Sequence, residues 1–201
     1  VQASWAPGHA VLVRAENRPA VAALLHQLER KHLIFQSFLD DVPMLARLGL
    51  PLERIRSFDD VMVMSYVLQD PALGLKPQAR ERLGLTWVRD IDEVTRDPVT
   101  GKPHYDLSRV PFEEALVYSA GDPDLTLRLR AHQEARLREA SLWRVYETDR
   151  DCLWLAADMM RNGIYADADH FEALAKEYEA KIATVHAQIE VLVEEARTVS
   201  A

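Results

Sequence analysis

Cysteine is all but missing from this sequence. Cys152 stands alone, so no internal disulfide can form and no cysteine-based zinc pattern exists, which suits a reducing compartment. No uninterrupted apolar run approaches the ~20 residues that a membrane-spanning helix needs, and Val1 opens no signal-peptide layout. These absences argue for a protein that is neither secreted nor membrane-embedded. A basic excess is missing too. With 24 Lys and Arg against 32 Asp and Glu, the net charge of −8 excludes a uniformly basic nucleic-acid clamp. There is no phosphate-binding loop, dinucleotide fingerprint or nucleophile elbow. His9, His26, His32, His104, His132, His170 and His186 are scattered, and none pairs with cysteine or another histidine at metal-ligand spacing. Finally, no aspartate is followed two residues later by glutamate. The nearest imitation, DIDE at 90–93, lies in a charged stretch and not on an apolar strand.

What is present suffices for a packed core, since 48% of the 201 residues are hydrophobic. VQAS and AVLVRA (10–15), joined across APG, predict a β-hairpin. AVAALLHQLERK has helical periodicity, and HLIFQSF (32–38) reads as a strand. Asp40 or Asp41 is expected to open a short helix that Gly49 stops. SFDDVMVMSYVL (57–68) predicts a helix capped by Ser57 or Asp59, with Val61, Met64, Tyr66 or Leu68 facing inward. A small helix follows around LKPQARERLG. Residues 86–111, with Pro98, Gly101, Pro103 and Pro111, read as an irregular excursion.

Beyond Pro111 the pattern is helical. From 122 to 162 Pro123 is the only helix breaker, so one long helix or two abutting ones are expected, with Gly163 as the stop. A last helix starts near Asp167 or Asp169, where DHFE (169–172) resembles a capping box. Phe171, Ala175, Tyr178, Ile182, Val185, Ile189, Leu192 and Ala196 alternate by four and three, the spacing of a coiled-coil seam. Residues 151–201 hold ten Asp and Glu against four Lys and Arg, so this arm is acidic. Strands and short helices first, long helices second, make an α/β domain leading into a helical arm.

The stretch YSAGDPDLTLRLR (118–130) carries the candidate chemistry. Asp122 before Pro123 reads as a helix cap, with Tyr118 packing its ring in the core. The alternative is a metal-ligand carboxylate beside a phenol that positions a water. Tyr-x-x-x-Asp alone does not choose between them.

In context, YSAGDPDLTLRL resembles the third exonuclease motif of family A DNA polymerases, whose proofreading domain belongs to the DEDD group with a tyrosine in that motif. HLIFQSFLDDVPMLARLGLPL resembles the second motif, and FDDVMVMSYVL resembles the family's Phe-Asp-Thr-Met helix. YETDRDCLWLAADMMRNGIYAD looks like the junction into the polymerase part. The likeness covers nearly the whole chain. It implies a ribonuclease H-like exonuclease fold over 1–145, truncated at its N-terminus, and the start of a helical polymerase thumb over 146–201. It also implies 3′→5′ hydrolysis of mispaired DNA ends by two Mg²⁺ or Mn²⁺ ions that lower the pKa of a water and stabilise the leaving oxygen. Carried over by position, Asp122 would bind an ion and Tyr118 would orient the water. In the second motif Asp41 matches best, with Leu45 four residues beyond it, and Asp40 is the alternative. The partners implied are a single-stranded 3′ end, primer–template duplex and the rest of a polymerase chain, with no membrane. The location implied is the cytoplasm of a bacterial or phage-infected cell, at the nucleoid.

Two departures qualify the likeness. The family's second motif carries an asparagine four residues before its aspartate, where this chain has Ser37 preceded by Gln36. The first motif, an Asp-x-Glu on the central strand, is absent. VQASWAPGHAVLVRA resembles the second and third strands of the domain, which puts the missing motif upstream of Val1. The expectation is an internal piece of a longer polymerase, lacking its middle strand and neither stable nor active alone. A catalytically silent scaffold domain is the main alternative. A helical interaction module built on the 169–196 seam is a third. Arg128, Arg130, Arg136, Arg138 and Arg144 are expected to pair with Glu134, Glu139 and Glu147 on solvated helix faces.

Overall fold

The structure, a computed structural model, describes residues 1–55 and 57–199. The chain divides into two compact units, Val1–Met159 and Met160–Ala201. The first is α/β. Its hairpin joins β1 (Gln2–Ala6) to β2 (His9–Leu12) antiparallel, with Gln2 opposite Leu12. Gly8, at φ +80°, makes the turn, a conformation open mainly to glycine. Helix α1 (Arg18–Leu28) is capped by the Asn17 side chain and buries Val21 and Leu25.

Strand β3 (His32–Phe35) runs parallel to β4 (Ser57–Asp60), pairing Leu33 with Phe58 and Phe35 with Asp60. Both strands are shorter or placed differently than the sequence suggests. HLIFQSF is extended only to Phe35, because Ser37 opens α2 (Phe38–Arg47) and Asp40 and Asp41 fall inside its first turn. Negative side chains suit that end of a helix dipole. The expected helix at 57–68 is half strand. Ser57–Asp60 extend β3 by pairing, and α3 (Val61–Val67) starts only after Asp60, whose carboxylate caps it by accepting from Met62 N and Val63 N. Val61 and Met64 are buried as anticipated, whereas Tyr66 faces solvent.

Helix α4 (Leu75–Leu83) ends in Gly84, and the excursion after it contains a four-residue turn of helix, α5 (Ile91–Val94), and a 3₁₀ turn at Leu107–Arg109. Helix α6 (Phe112–Glu139) is the backbone of the unit and packs on β1, β2, α3 and α4. It begins after Pro111 and runs straight through Gly121, Asp122 and Pro123, so Asp122 does not cap a helix start. Burial of Leu125, Leu129 and Leu137 outweighs the local breaker signals. Ser141, at φ +58°, separates α6 from α7 (Trp143–Asn162), which Gly163 terminates at φ +67°. Two abutting helices therefore fill 122–162.

The core under β3 and β4 is aromatic. Phe38 stacks on Phe58 with centroids 4.2 Å apart, and Trp154 of α7 stands edge-on to Phe38 at 4.8 Å. A second cluster joins Val61 and Met64 to Leu129, Leu137 and Tyr146. A third packs Ala79 and Val88 on Leu125.

The second unit is dominated by α8 (Ala168–Val199). Asp167 caps it by accepting from His170 N at 3.0 Å, so Asp169 lies within the first turn and the expected DHFE box does not set the start. The seam residues Phe171, Tyr178, Ile182, Val185, Ile189 and Leu192 are exposed, and the side chain of Ala196 lies outside the described residues. Among the described residues, no helix is long and apolar enough to cross a membrane.

Candidate functional site

Tyr118 and Asp122 sit four residues apart on α6, a spacing that puts both on one face. They meet on the same cation. Lys76, from the first turn of α4, forms an ion pair with the Asp122 carboxylate and holds its ammonium 4.5 Å from the Tyr118 ring centroid. All three are only partly open to water, with side-chain exposures of 12% for Lys76 and 25% for Asp122. Burial lowers the Lys76 amine below its usual range, with the charge of Asp90 opposing that shift and Arg80 adding to it. Burial, followed by the charges of Asp90 and Asp92, pushes the Tyr118 phenol up. Beside the trio lies a cavity of about 210 Å³ lined by Lys76, Trp87, Val88, Val117, Tyr118, Gly121 and Leu125.

The second group of candidates is built on α2 and β4. Ser37 donates to Asp40 Oδ2 at 2.7 Å, and Gln36 donates to the Leu73 carbonyl. Asp41 is at the surface of α2, but the crowding of its carboxyl, then the charges of Asp60 and Asp40, raise it to about 6. Asp60 is 2% exposed and ties three amides together, taking Phe38 N at 2.6 Å in addition to its two α3 donors. Burial drives its carboxyl up to about 6 against those hydrogen bonds, with Asp40 adding to the rise.

Asp59, its neighbour on β4, points the other way. Its Oδ2 meets His32 Nε2 and Arg130 Nε, both at 2.9 Å, and its Oδ1 accepts from the Tyr146 hydroxyl at 2.6 Å. Burial raises this carboxyl, and the hydrogen bonds from Tyr146, His32 and Arg130 outweigh it and hold it below the ordinary carboxylate range. The same Tyr146 oxygen accepts from Asp60 N at 3.1 Å.

Several of the arginines find partners other than those expected. Arg130 and Arg138 do reach Glu134, but Arg136 forks onto buried Asp70 with two bonds of 2.9 Å, and Arg128 pairs with Asp124. Asp124 also accepts from Gly8 N at 2.7 Å, which pins the β1–β2 turn to α6.

Tyr118 and Asp122 are thus brought together, while Asp41 keeps company with Asp40 and Asp60. No hydrogen bond or ion pair joins Asp41 to Asp122 among the described residues. Nor do the described residues contain a group of three His, Cys, Asp or Glu able to hold a metal ion. With an ammonium already on Asp122, the acidic groups among the described residues do not fit a two-metal centre. Lys76 and Asp60 escape a reading of the sequence. The available signal at Lys76 was a cation in a helix's first turn, where the dipole disfavours it and a specific carboxylate partner is called for.

A family model described as 3′–5′ exonuclease matches residues 1–138. DNA polymerase I of Rhizobium leguminosarum is 33% identical over 177 residues, covering 87% of this chain. DNA polymerase I of Treponema pallidum (strain Nichols) is 29% identical over 178 residues, covering 85% of it. The chain spans 17% of the length of each of these relatives.

Proposed function

This chain belongs to the 3′–5′ exonuclease family of family A DNA polymerases, and on that premise we propose that it works as the exonuclease-type segment of a longer DNA polymerase I-like protein. The observation that carries this reading is the placement of Tyr118 and Asp122 on one face of α6, beside a cavity. In this reading residues 1–145 form a ribonuclease H-like domain and 146–201 begin a helical thumb. The partners are a single-stranded 3′ end, primer–template duplex and the remainder of the polymerase, in a bacterial cytoplasm at the nucleoid.

Members of such a family generally use divalent metal ions, and Asp122 and Asp41 (alternatively Asp40) stand at the positions that would contribute ligands, with Tyr118 at that of the water-orienting phenol. Among the described residues no group of three His, Cys, Asp or Glu is placed to hold such ions. The chain has no Asp-x-Glu, and Asp122 is engaged by Lys76. We therefore assign no hydrolytic step to the chain by itself. The Lys76–Asp122 pair also favours a second reading, in which the domain is a silent scaffold for the polymerase.

A nuclease assay separates these. A 5′-labelled single-stranded oligonucleotide is incubated with Mg²⁺ or Mn²⁺ and with this chain, the full-length protein, or full-length Asp122→Ala. We expect the chain alone to leave the DNA intact and the full-length protein to shorten it, with the substitution reducing that by at least about a hundredfold. A full-length protein that extends a primer yet spares the 3′ end would establish the scaffold. Shortening by the isolated chain would overturn our assignment of its residues.

A further inference from the structure

We propose that Lys76 is a resident cation of this site, occupying the place on Asp122 that a divalent ion would take, so that ammonium and metal compete for one carboxylate. The inference rests on reading Asp122 as the family's ligand position, and deepens it by naming what governs access to that ligand. Three observations carry it. First, Lys76 reaches Asp122 from a different element, across 46 residues of sequence, so the pair is a feature of the tertiary fold and not of helix spacing. Second, both side chains are largely shielded, at 12% and 25% exposure, so water and salt screen the pair less than a surface one. Third, the ammonium is held twice, by the carboxylate and by the face of the Tyr118 ring at 4.5 Å.

The chemistry makes the two cations exclusive. A protonated lysine has three donors and no lone pair, so it cannot join the coordination shell of a metal. A hard divalent ion needs anionic or carbonyl oxygens, and a fixed positive charge against the same carboxylate repels it. For a metal to take Asp122, Lys76 must first swing away and surrender both of its contacts. Asp90, whose charge also acts on the ammonium, is itself bound to Arg80 Nη2 at 2.8 Å. Tyr118 is affected as well. Its ring face is covered by the ammonium, while its hydroxyl is not engaged by that contact.

The test is Mn²⁺-induced broadening of backbone amide signals in the 201-residue chain, which reports metal proximity without any nuclease activity. Substoichiometric Mn²⁺ is added to the wild type, to Lys76→Met, and to Lys76→Met combined with Asp122→Asn. We expect Lys76→Met to broaden the amides of residues 119–122 and 124–126 at least about fivefold more than the wild type at equal Mn²⁺, and the added Asp122→Asn to abolish the gain. Lys76→Gln serves the same purpose should methionine at this half-buried position prevent folding, which signal dispersion reveals directly. Equal broadening in wild type and variants, or a gain that survives Asp122→Asn, would overturn the competition. Neither result depends on the nuclease assay. A full-length protein that fails to shorten DNA leaves this outcome readable, and a failed competition leaves the family reading to that assay.

Discussion

Asp59 and Asp60 are adjacent on one strand and do opposite things. Asp60 binds backbone amides, locking the starts of α2 and α3 together, while Asp59 gathers His32, Arg130 and Tyr146 from three elements. Removing Asp59 leaves the buried Tyr146 hydroxyl without its acceptor and Arg130 with Glu134 alone. Asp59→Ala should therefore cost about 3–5 kcal/mol in urea unfolding. Tyr146→Phe should cost only about 1–2 kcal/mol, because Asp59 keeps two partners and a single Asp60 amide loses its acceptor. The double substitution should cost less than the two single losses added together, since both act on one network. Additive losses would mean that the hydroxyl and the carboxylate stabilise the fold independently. At this scale the sequence shows which residues carry charge, but not their partners. Tyr118, Asp122 and Asp41 are singled out as candidates by spacing and resemblance. Lys76 is not, because nothing periodic links position 76 to 122, and Asp60 is mistaken for a bystander because a capping role falls equally well to Asp59 one residue earlier.

Helix α6 shows what happens when local and long-range preferences disagree. Gly-Asp-Pro reads as the start of a helix, and in an isolated peptide those residues would weaken one. In the fold, Leu125 and Leu129 below them and Ser119 above are buried against other elements, so the helix continues. Pro123 donates no amide hydrogen, which leaves the Ser119 carbonyl without its helical partner. Pro123→Ala should restore that bond and raise stability by about 1–3 kcal/mol. Gly121→Ala should add about 0.5–1 kcal/mol, because a Cβ there meets the Trp87 ring at 3.6 Å, an ordinary contact. Thermal unfolding of the two variants checks both, and a fall in melting temperature for either would show that the helix needs its irregularity. Elements set by local chemistry were legible in advance. The Pro-Gly hairpin and the Gly163 stop follow from backbone freedom alone, whereas β4 exists only because β3 lies beside it, and no window of sequence contains both.

On the scale of the molecule, the α/β order and the helical second half were readable from periodicity, since burial of apolar faces dominates both. The division at Met159 was less so, because α7 runs on to Asn162 without any break in its pattern. Acidity is a whole-molecule property as well, and the two β4 carboxylates give it a direction. Asp60 titrates near 6 in the fold and near 3.9 when unfolded. The folded state therefore holds more protons than the unfolded one between those values, and its stability grows as pH falls through that window. Asp59 has the opposite sign. Held below the usual range, it contributes stability above about pH 4, and this is lost as pH drops further through its folded pKa. His132, lowered by burial and by Arg136, drifts against Asp60 below about pH 6.5. A comparison with Asp60→Asn, which keeps a capping side chain, cancels it. Urea unfolding of both proteins from pH 7 to 4.5 should show the wild type gaining on the variant by an amount on the order of 1–3 kcal/mol. A flat or reversed difference would mean that the three amides around Asp60, and not its burial, decide its charge.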